Sequence, residues 1–273
     1  MLLKRTTIAT LLAAFLLSGP VFAASLEDVV AGPQRSADQK AHDAERHPLE
    51  TLRFFGVKPD MRVVEIDPGD GWMTAILAPY LKDRGQYYAA LPPQGASEDQ
   101  DRKRVAFIKH YANQPDVYGD IHITEMNPKA ASQVAPDGTA DLVLTVLHVH
   151  DWMSEGTAEV AFRAFYDALK PGGILGVVER RAADSGKQDP KASNGYVQQA
   201  HVVKLATEAG FHLVGQSEVN ANRHDVRDRA AVAGSGEGDR MTLKFVKPGG
   251  DEHPDGRALK LKEALDHLQS DSH

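Results

Sequence analysis

Short apolar runs alternate with stretches of helical periodicity between residues 60 and 247. Seven runs have the length and apolar content of strands: Arg62–Asp67, Gln86–Leu91, Tyr118–Met126, Asp141–Leu147, Ile174–Glu179, Phe211–Val219 and Met241–Val246. Four intervening stretches have the spacing of helices: Trp72–Leu81, Asp101–Tyr111, Glu159–Leu169 and Val197–Ala209. Because strands that alternate with helices connect through right-handed crossovers, the pattern predicts a largely parallel sheet.

The last two predicted strands are joined differently. Their connection, about Asn220–Arg240, is polar and glycine-rich and has no helical spacing. Strands joined without a crossover helix pair antiparallel. We therefore predict an α/β, doubly wound, Rossmann-like domain over residues 57–247, with a seven-stranded, mostly parallel sheet and an antiparallel last strand.

The first 23 residues have the pattern of a signal peptide. Lys4 and Arg5 precede an apolar run, and small residues follow it up to Ala23, which predicts cleavage after that residue. The alternative is an uncleaved membrane anchor, for which the apolar run is short. We expect an exported protein, periplasmic or secreted.

Two further segments flank the predicted domain. Residues 24–56 are predicted to form a loose polar arm that leads into a helix over Asp43–Phe55. Residues 248–273 are predicted to form a tail with an amphipathic helix over Arg257–Leu268.

The composition narrows the classes of function. The chain has a formal net charge of −7, and loss of Lys4 and Arg5 makes the mature chain more acidic. An acidic chain is a poor partner for a phosphate backbone, so we expect a small-molecule substrate and no nucleic acid. The absence of cysteine excludes disulfides and thiolate metal sites. No second long apolar stretch follows the signal peptide, so we expect no stable membrane insertion after cleavage.

A glycine turn follows the first predicted strand, within Val63–Trp72. Glycines there let a ligand approach the backbone, and the following helix offers free N–H groups. The segment resembles the glycine motif of class I S-adenosylmethionine-dependent methyltransferases, with Asp67 at the place of the first glycine and Trp72 near that of the third. The resemblance implies S-adenosylmethionine as cofactor, held by residues at the ends of the first and fourth strands: Glu65, Asp67, Gly69, Asp70, Gly71 and Leu147.

Further segments resemble the same family in the same order. They are Ala140–Thr145, Leu169–Leu175, Ala209–Leu213 and Leu243–Phe245. A closer resemblance, to predicted methyltransferases that carry signal peptides, rests on Leu77–Leu81, Gly195–Val197 and Asn220–Asn222. Both resemblances imply methyl transfer to a small molecule.

One feature departs from the family pattern. The family usually has an acidic residue after the second strand that accepts hydrogen bonds from the ribose hydroxyls, but Tyr87–Pro92 contains no carboxylate. Either another carboxylate, such as Asp67 or Asp70, replaces it, or cofactor binding is weak or absent, because hydroxyls without an acceptor lose affinity. After the third strand, either Glu125 or Asn127 is a candidate to face the adenine amino group.

His148 and His150 follow the fourth predicted strand, and strand alternation would place both on one side of it. One of them could act as a general base, the pair could ligate a metal, or both could be structural. No second tight His or Asp cluster supports a metal site, so none is assigned. Tyr196 is a third catalytic candidate at this edge of the sheet.

Two polar loops leave the same edge, and they predict a lid that selects a polar or anionic substrate. Its candidate residues are Arg180, Arg181, Asn222 and Arg223. The alternative is a solvated loop. Two other functions stay open at this point: an exported ligand-binding protein with a degenerate methyltransferase fold, and a His-dependent metal hydrolase.

Overall fold

Seven strands build the central sheet: β1 (Arg62–Ile66), β2 (Gln86–Leu91), β3 (Ile121–Glu125), β4 (Ala140–Val146), β5 (Leu169–Arg180), β6 (His212–Ser217) and β7 (Arg240–Val246). The computed structural model describes residues 24–130, 132–227 and 238–249. The strand order is β3-β2-β1-β4-β5-β7-β6. Neighbouring strands from β1 to β5 are parallel, whereas β7 is antiparallel to β5 and β6. The predicted mixed sheet with an antiparallel last strand is confirmed.

Helices cover both faces of this sheet. They are α1 (Leu26–Ala31), α2 (Ala37–Ala41), α3 (Asp43–Arg46), α4 (Pro48–Phe55), α5 (Thr74–Leu81), α6 (Glu98–Phe107), α7 (Pro115–Tyr118), α8 (Val149–Glu155), α9 (Ala158–Ala168) and α10 (Gln199–Glu208), with a π-helical turn at Ile108–Ala112. Apolar residues of α1, α4, α5 and α6 form one buried cluster with the sheet, and those of α8, α9 and α10 form the other. None of the helices within the described ranges is long and apolar enough to cross a membrane.

The N-terminal arm is more ordered than its polar sequence predicts. Residues 24–47 contain α1, α2 and α3, and serine capping boxes begin α1 and α2. Leu26 and Val29 are buried against the domain. The predicted helix over Asp43–Phe55 is interrupted at His47, which has a positive φ of 39° and precedes Pro48. A residue before proline is disfavoured in the α conformation, so the chain turns there.

Several boundaries also differ from the prediction, and the largest difference is at β5, which begins at Leu169 instead of Ile174. Tyr118 ends helix α7 instead of beginning a strand, and Gly119 (φ 68°) turns the chain into β3. Helix α5 begins at Thr74, two residues later than predicted, because the glycine turn extends through Met73. The predicted signal peptide, the tail helix and residues 228–237 of the predicted lid lie outside the described residues.

Candidate functional site

The strand order reverses between β1 and β4, and ligands of doubly wound sheets bind beyond the carboxyl ends of such strands. Asp67 (φ 43°) directly follows β1, and Leu147 (φ 64°) directly follows β4. Their amides donate to Ala90 O at 2.9 Å and Val178 O at 2.8 Å, which holds both residues in place. Non-glycine residues at positive φ are strained and are concentrated at functional sites. The structure thus brings the predicted residues Asp67 and Leu147 together at this edge.

The glycine turn presents two different environments. Gly69 (φ 58°) is exposed, and a Cβ at this position would meet no atom within 4 Å. Gly71 (φ 78°) is buried, and a Cβ there would overlap the ring of Tyr111. The Tyr111 hydroxyl donates to Asp70 O at 2.9 Å. Gly69 is therefore the residue of the turn that leaves room for a ligand, whereas Gly71 makes room for Tyr111.

A cleft of about 1440 Å³ adjoins the turn. One wall is the N-terminal arm, the opposite wall is the end of α6 with the π-helical turn, and the floor is the glycine turn. Its lining includes Arg35, Gln39, Arg46, Gly69, Asp70, Trp72, Lys103, Lys109, His110 and Tyr111. Neither Gln39 nor Tyr111 was predicted from the sequence to belong to the site, because their contacts join segments distant along the chain.

Glu65 is buried beneath the turn. Its Oε2 accepts hydrogen bonds from the Thr74 hydroxyl at 3.0 Å and the Tyr87 hydroxyl at 2.5 Å. Burial raises the pKa of Glu65 to about 7, although both hydrogen bonds act to lower it, and the nearby Asp70 and Asp67 charges add to the increase. The predicted cofactor residue Glu65 thus makes its contacts inside the domain.

Replacing Glu65 by glutamine should remove a pH dependence of stability. Because the folded pKa of about 7 exceeds the ordinary value of 4.5, the folded state binds more protons between these values, and stability falls as pH rises through this window. The loss is at most about 3 kcal/mol, since one pKa unit corresponds to about 1.4 kcal/mol. Urea unfolding from pH 4.5 to 8 should show this slope in the wild type and in Glu125→Gln, an exposed control, but not in Glu65→Gln. An unchanged slope in Glu65→Gln would assign the effect to another group.

The strand alternation expected to place His148 and His150 on one side does not apply, because β4 ends at Val146. His148 is the N-cap of α8, and His150 lies in the first turn of that helix. Nε2 of His148 lies 3.0 Å from Asp67 O, and its ring packs 5.8 Å from that of Trp152. His148 therefore links the ends of β1 and β4.

His150 forms a buried pair with Glu179, the penultimate residue of β5. The Glu179 carboxylate lies 2.9 Å from Nδ1 of His150 and accepts from the amides of Val149 at 2.7 Å and Arg180 at 2.7 Å. Burial by itself lowers the pKa of His150, but the hydrogen bond and charge of Glu179 outweigh it and raise the pKa. Nε2 of His150 lies 3.2 Å from Nη1 of Arg180. This arrangement fixes the orientation of an imidazole that can exchange a proton.

From the sequence, Glu179 was predicted only to end a strand. The available signal was a carboxylate at the end of an otherwise apolar run, which demands a partner when buried. Within the described parts of the chain, no group of three or more His, Asp or Glu side chains is placed to hold a metal ion. The metal-hydrolase hypothesis gains no support.

Tyr196 lies near Arg180, the residue that contacts His150. Its hydroxyl donates to Asp225 at 2.9 Å, and burial together with this carboxylate raises the pKa of Tyr196 to about 12. A Cβ on Gly238 would lie 3.6 Å from the Tyr196 hydroxyl and 3.7 Å from Cδ of Arg180. Tyr196 and Arg180 are therefore neighbours, as their common edge predicted.

The predicted lid residues have different environments. Arg180 is buried, and Arg181 is held by Glu218 at 2.7 Å and by the buried Asp239 at 2.9 Å. Asp239 also accepts from the Asn222 amide at 2.8 Å. Arg223 is exposed. In the described residues, Arg180 therefore packs against His150, and Arg181 pairs with the buried Asp239 and the exposed Glu218, while their part in a substrate-selecting lid stays a prediction.

The ends of β2 and β3 contain the two candidate adenine residues. Glu125 is in register with Leu91, the last residue of β2, and Nη2 of Arg104 lies 3.5 Å from its carboxylate. Nη1 of Arg104 donates to Pro92 O at 3.0 Å. Asn127 uses its side-chain oxygen to accept from the Lys129 amide at 3.1 Å. The structure thus brings a carboxylate, from β3, to the end of β2, where the sequence has none.

Comparisons with known proteins identify the fold. No protein-family model matches the chain, and no curated protein matches it in sequence. A SAM-dependent methyltransferase from Aquifex aeolicus superposes with a TM-score of 0.53 and 14% identity, over 82% of this chain and 99% of its own. The 4+2 cyclase SpnF superposes with a TM-score of 0.54 and 19% identity, over 82% of this chain and 92% of its own. An arsenic(III) S-adenosylmethionine methyltransferase from Chlamydomonas reinhardtii superposes with a TM-score of 0.52 and 14% identity, over 82% of this chain and 73% of its own.

These similarities are structural, since each identity is below 20%. The inclusion of a cyclase illustrates that one fold serves different reactions. The sheet order and the antiparallel β7 agree with these neighbours. The chain has the Rossmann-like fold of class I S-adenosylmethionine-dependent methyltransferases.

Proposed function

We propose that this chain is an exported methyltransferase that transfers a methyl group from S-adenosylmethionine to a small molecule. One observation carries the proposal: Gly69 is open at the switch point of the sheet, between the strained residues Asp67 and Leu147 and beside a cleft of about 1440 Å³. This is the position at which doubly wound sheets bind ligands. The signal-peptide pattern of residues 1–23 supports export and the closer resemblance to exported methyltransferase-like proteins.

The residues around the turn fit an adenosyl ligand in most respects. Gly69 and the exposed Asp70 would accommodate its amino-acid part. For the ribose, we propose Glu125, because it is the carboxylate in register with the end of β2 and Arg104 orients it. The amide nitrogen of Asn127 would then serve the adenine ring.

Methyl transfer is an in-line displacement, so most of the acceleration comes from positioning the two reactants. S-adenosylmethionine supplies a methyl group on a sulfonium. His150 is the candidate base for an acceptor that must lose a proton, since Glu179 fixes its ring and favours its protonated form. His148 is better suited to holding the turn, through its contact with Asp67 O.

The test is calorimetry with S-adenosylmethionine on the purified mature protein. We expect binding in the wild type and at least a tenfold weaker affinity in Gly69→Ala, whose methyl group would occupy the open space above the turn. Gly172→Ala is the matched control, because Gly172 also has a positive φ (77°) and no atom within 4 Å of a Cβ, but lies at the start of β5.

No heat of binding at millimolar ligand would refute the methyltransferase assignment and leave a binding protein of the same fold. Equal affinities of the Gly69→Ala and Gly172→Ala variants would mean that the ligand binds elsewhere. Cell fractionation with residues 1–23 retained or deleted tests export separately.

A further inference from the structure

Gln39 lies in helix α2, which belongs to the arm wall of the cleft, and it contacts both the opposite wall and the floor. Its backbone oxygen accepts from the Trp72 indole at 2.8 Å, and its side-chain nitrogen donates to the Tyr111 hydroxyl at 3.2 Å. Its side-chain oxygen accepts from the Ser36 amide at 2.9 Å, which completes the capping box of α2. Both the nitrogen and the oxygen of this side-chain amide are thereby hydrogen-bonded.

Tyr111 continues the connection to the glycine turn. It is 2% exposed, its hydroxyl donates to Asp70 O, and its ring fills the space beside Gly71. It belongs to the π-helical turn Ile108–Ala112. π-helical turns are rare in proteins, and those that occur are often found at functional sites. Tyr111 therefore restrains Asp70 and Gly71, the two residues directly before Trp72.

The arm that presents Gln39 is also held in place by other contacts. The Arg35 guanidinium is buried, bonds Asp43 with Nη1 at 2.7 Å, and donates to Val30 O at 2.7 Å. The guanidinium carbons of Arg35 and Arg46 lie 5.5 and 5.0 Å from the centre of the Trp72 ring. Such cation–π contacts contribute most when desolvated. The arm thus holds Trp72 from several directions.

We infer that Gln39 and Tyr111 are positioning residues, through which the N-terminal arm fixes the conformation of Asp70-Gly71-Trp72 for ligand binding. The arm is then a part of the binding site and not a covering segment. The part of this inference that concerns affinity rests on the proposed function, whereas the restraint of the turn does not.

The test uses two variants, each of which removes one hydrogen-bonding group. Tyr111→Phe keeps the ring but loses the hydroxyl, and Gln39→Glu keeps the oxygen that caps α2 but loses the N–H that reaches Tyr111. Tyr118→Phe is the matched control, since it also loses a hydroxyl that donates to a backbone oxygen, Gln34 O at 3.3 Å, but Tyr118 does not line the cleft.

We expect amide hydrogen exchange at residues 69–73 to accelerate about fivefold in both variants, the effect of losing a hydrogen bond of about 1 kcal/mol. Affinity for S-adenosylmethionine should fall by a similar factor, with no such changes in Tyr118→Phe. Unchanged exchange in both variants, or equal acceleration in Tyr118→Phe, would overturn the inference. Failure of the wild type to bind S-adenosylmethionine would refute the proposed function alone, because the exchange measurement needs no ligand.

Discussion

Replacement of Glu179 by alanine is expected to lower the free energy of unfolding by about 3–5 kcal/mol, the usual cost of removing one partner from a buried charged network. The carboxylate is 0% exposed and accepts from the amides of Val149, His150 and Arg180 as well as from the His150 ring. Without it, the N-terminal amides of α8 would be buried and unpaired, each at a cost of about 1–3 kcal/mol. Urea unfolding at pH 7 measures the effect.

Glu218→Ala is the control for this measurement. Its carboxylate also forms two close contacts with an arginine, Arg181, but its side chain is 56% exposed. An exposed ion pair contributes about 0–1 kcal/mol. If the two variants lost the same stability, Glu179 would not have the structural role assigned to it. Glu179→Gln is a more conservative variant that should retain part of the stability. It should still disorient His150, so that the effect on catalysis can be measured separately from the effect on folding.

Gly71→Val is expected to be the most damaging change in the glycine turn. Its positive φ of 78° costs a side chain about 1–2 kcal/mol, and more for a β-branched one. Displacement of the Tyr111 ring adds about 1–3 kcal/mol, the usual cost of overpacking. The thermal midpoint and the urea midpoint should both fall, and S-adenosylmethionine binding should be lost with them.

Gly172→Val separates the two contributions, because Gly172 has nearly the same φ (77°) but open space around its Cβ position. Its cost should be the backbone strain alone. In a double-mutant cycle, Gly71→Val and Tyr111→Ala should be less damaging together than the sum of their separate effects, with a coupling of about 1–3 kcal/mol. Additive effects would mean that the turn accommodates the side chain without moving Tyr111.

The sequence by itself determined the architecture of the domain. Strands β1, β2 and β4 match the predicted apolar runs to within about one residue, because strands buried on both faces must be almost continuously apolar. The lack of helical spacing in the sequence between β6 and β7 was enough to predict their antiparallel pairing, which follows from chain connectivity. The glycine turn was also identified from sequence, since Gly69 and Gly71 adopt a backbone conformation that few other residues accept.

Only the tertiary structure decided which groups meet around that turn. Gln39 and Tyr111 are 72 residues apart, and Glu179 lies 29 residues beyond His150. Hydrogen bonds between such distant residues leave no periodicity in the sequence, and polar patterns such as that of the arm look like solvent-exposed surface until a partner is known. For the same reason the partners of Arg181 could not be predicted: an arginine in a polar loop has the same sequence whether it faces solvent or the buried carboxylate of Asp239. Periodic burial is encoded locally, whereas the pairing of polar groups depends on where the fold brings them.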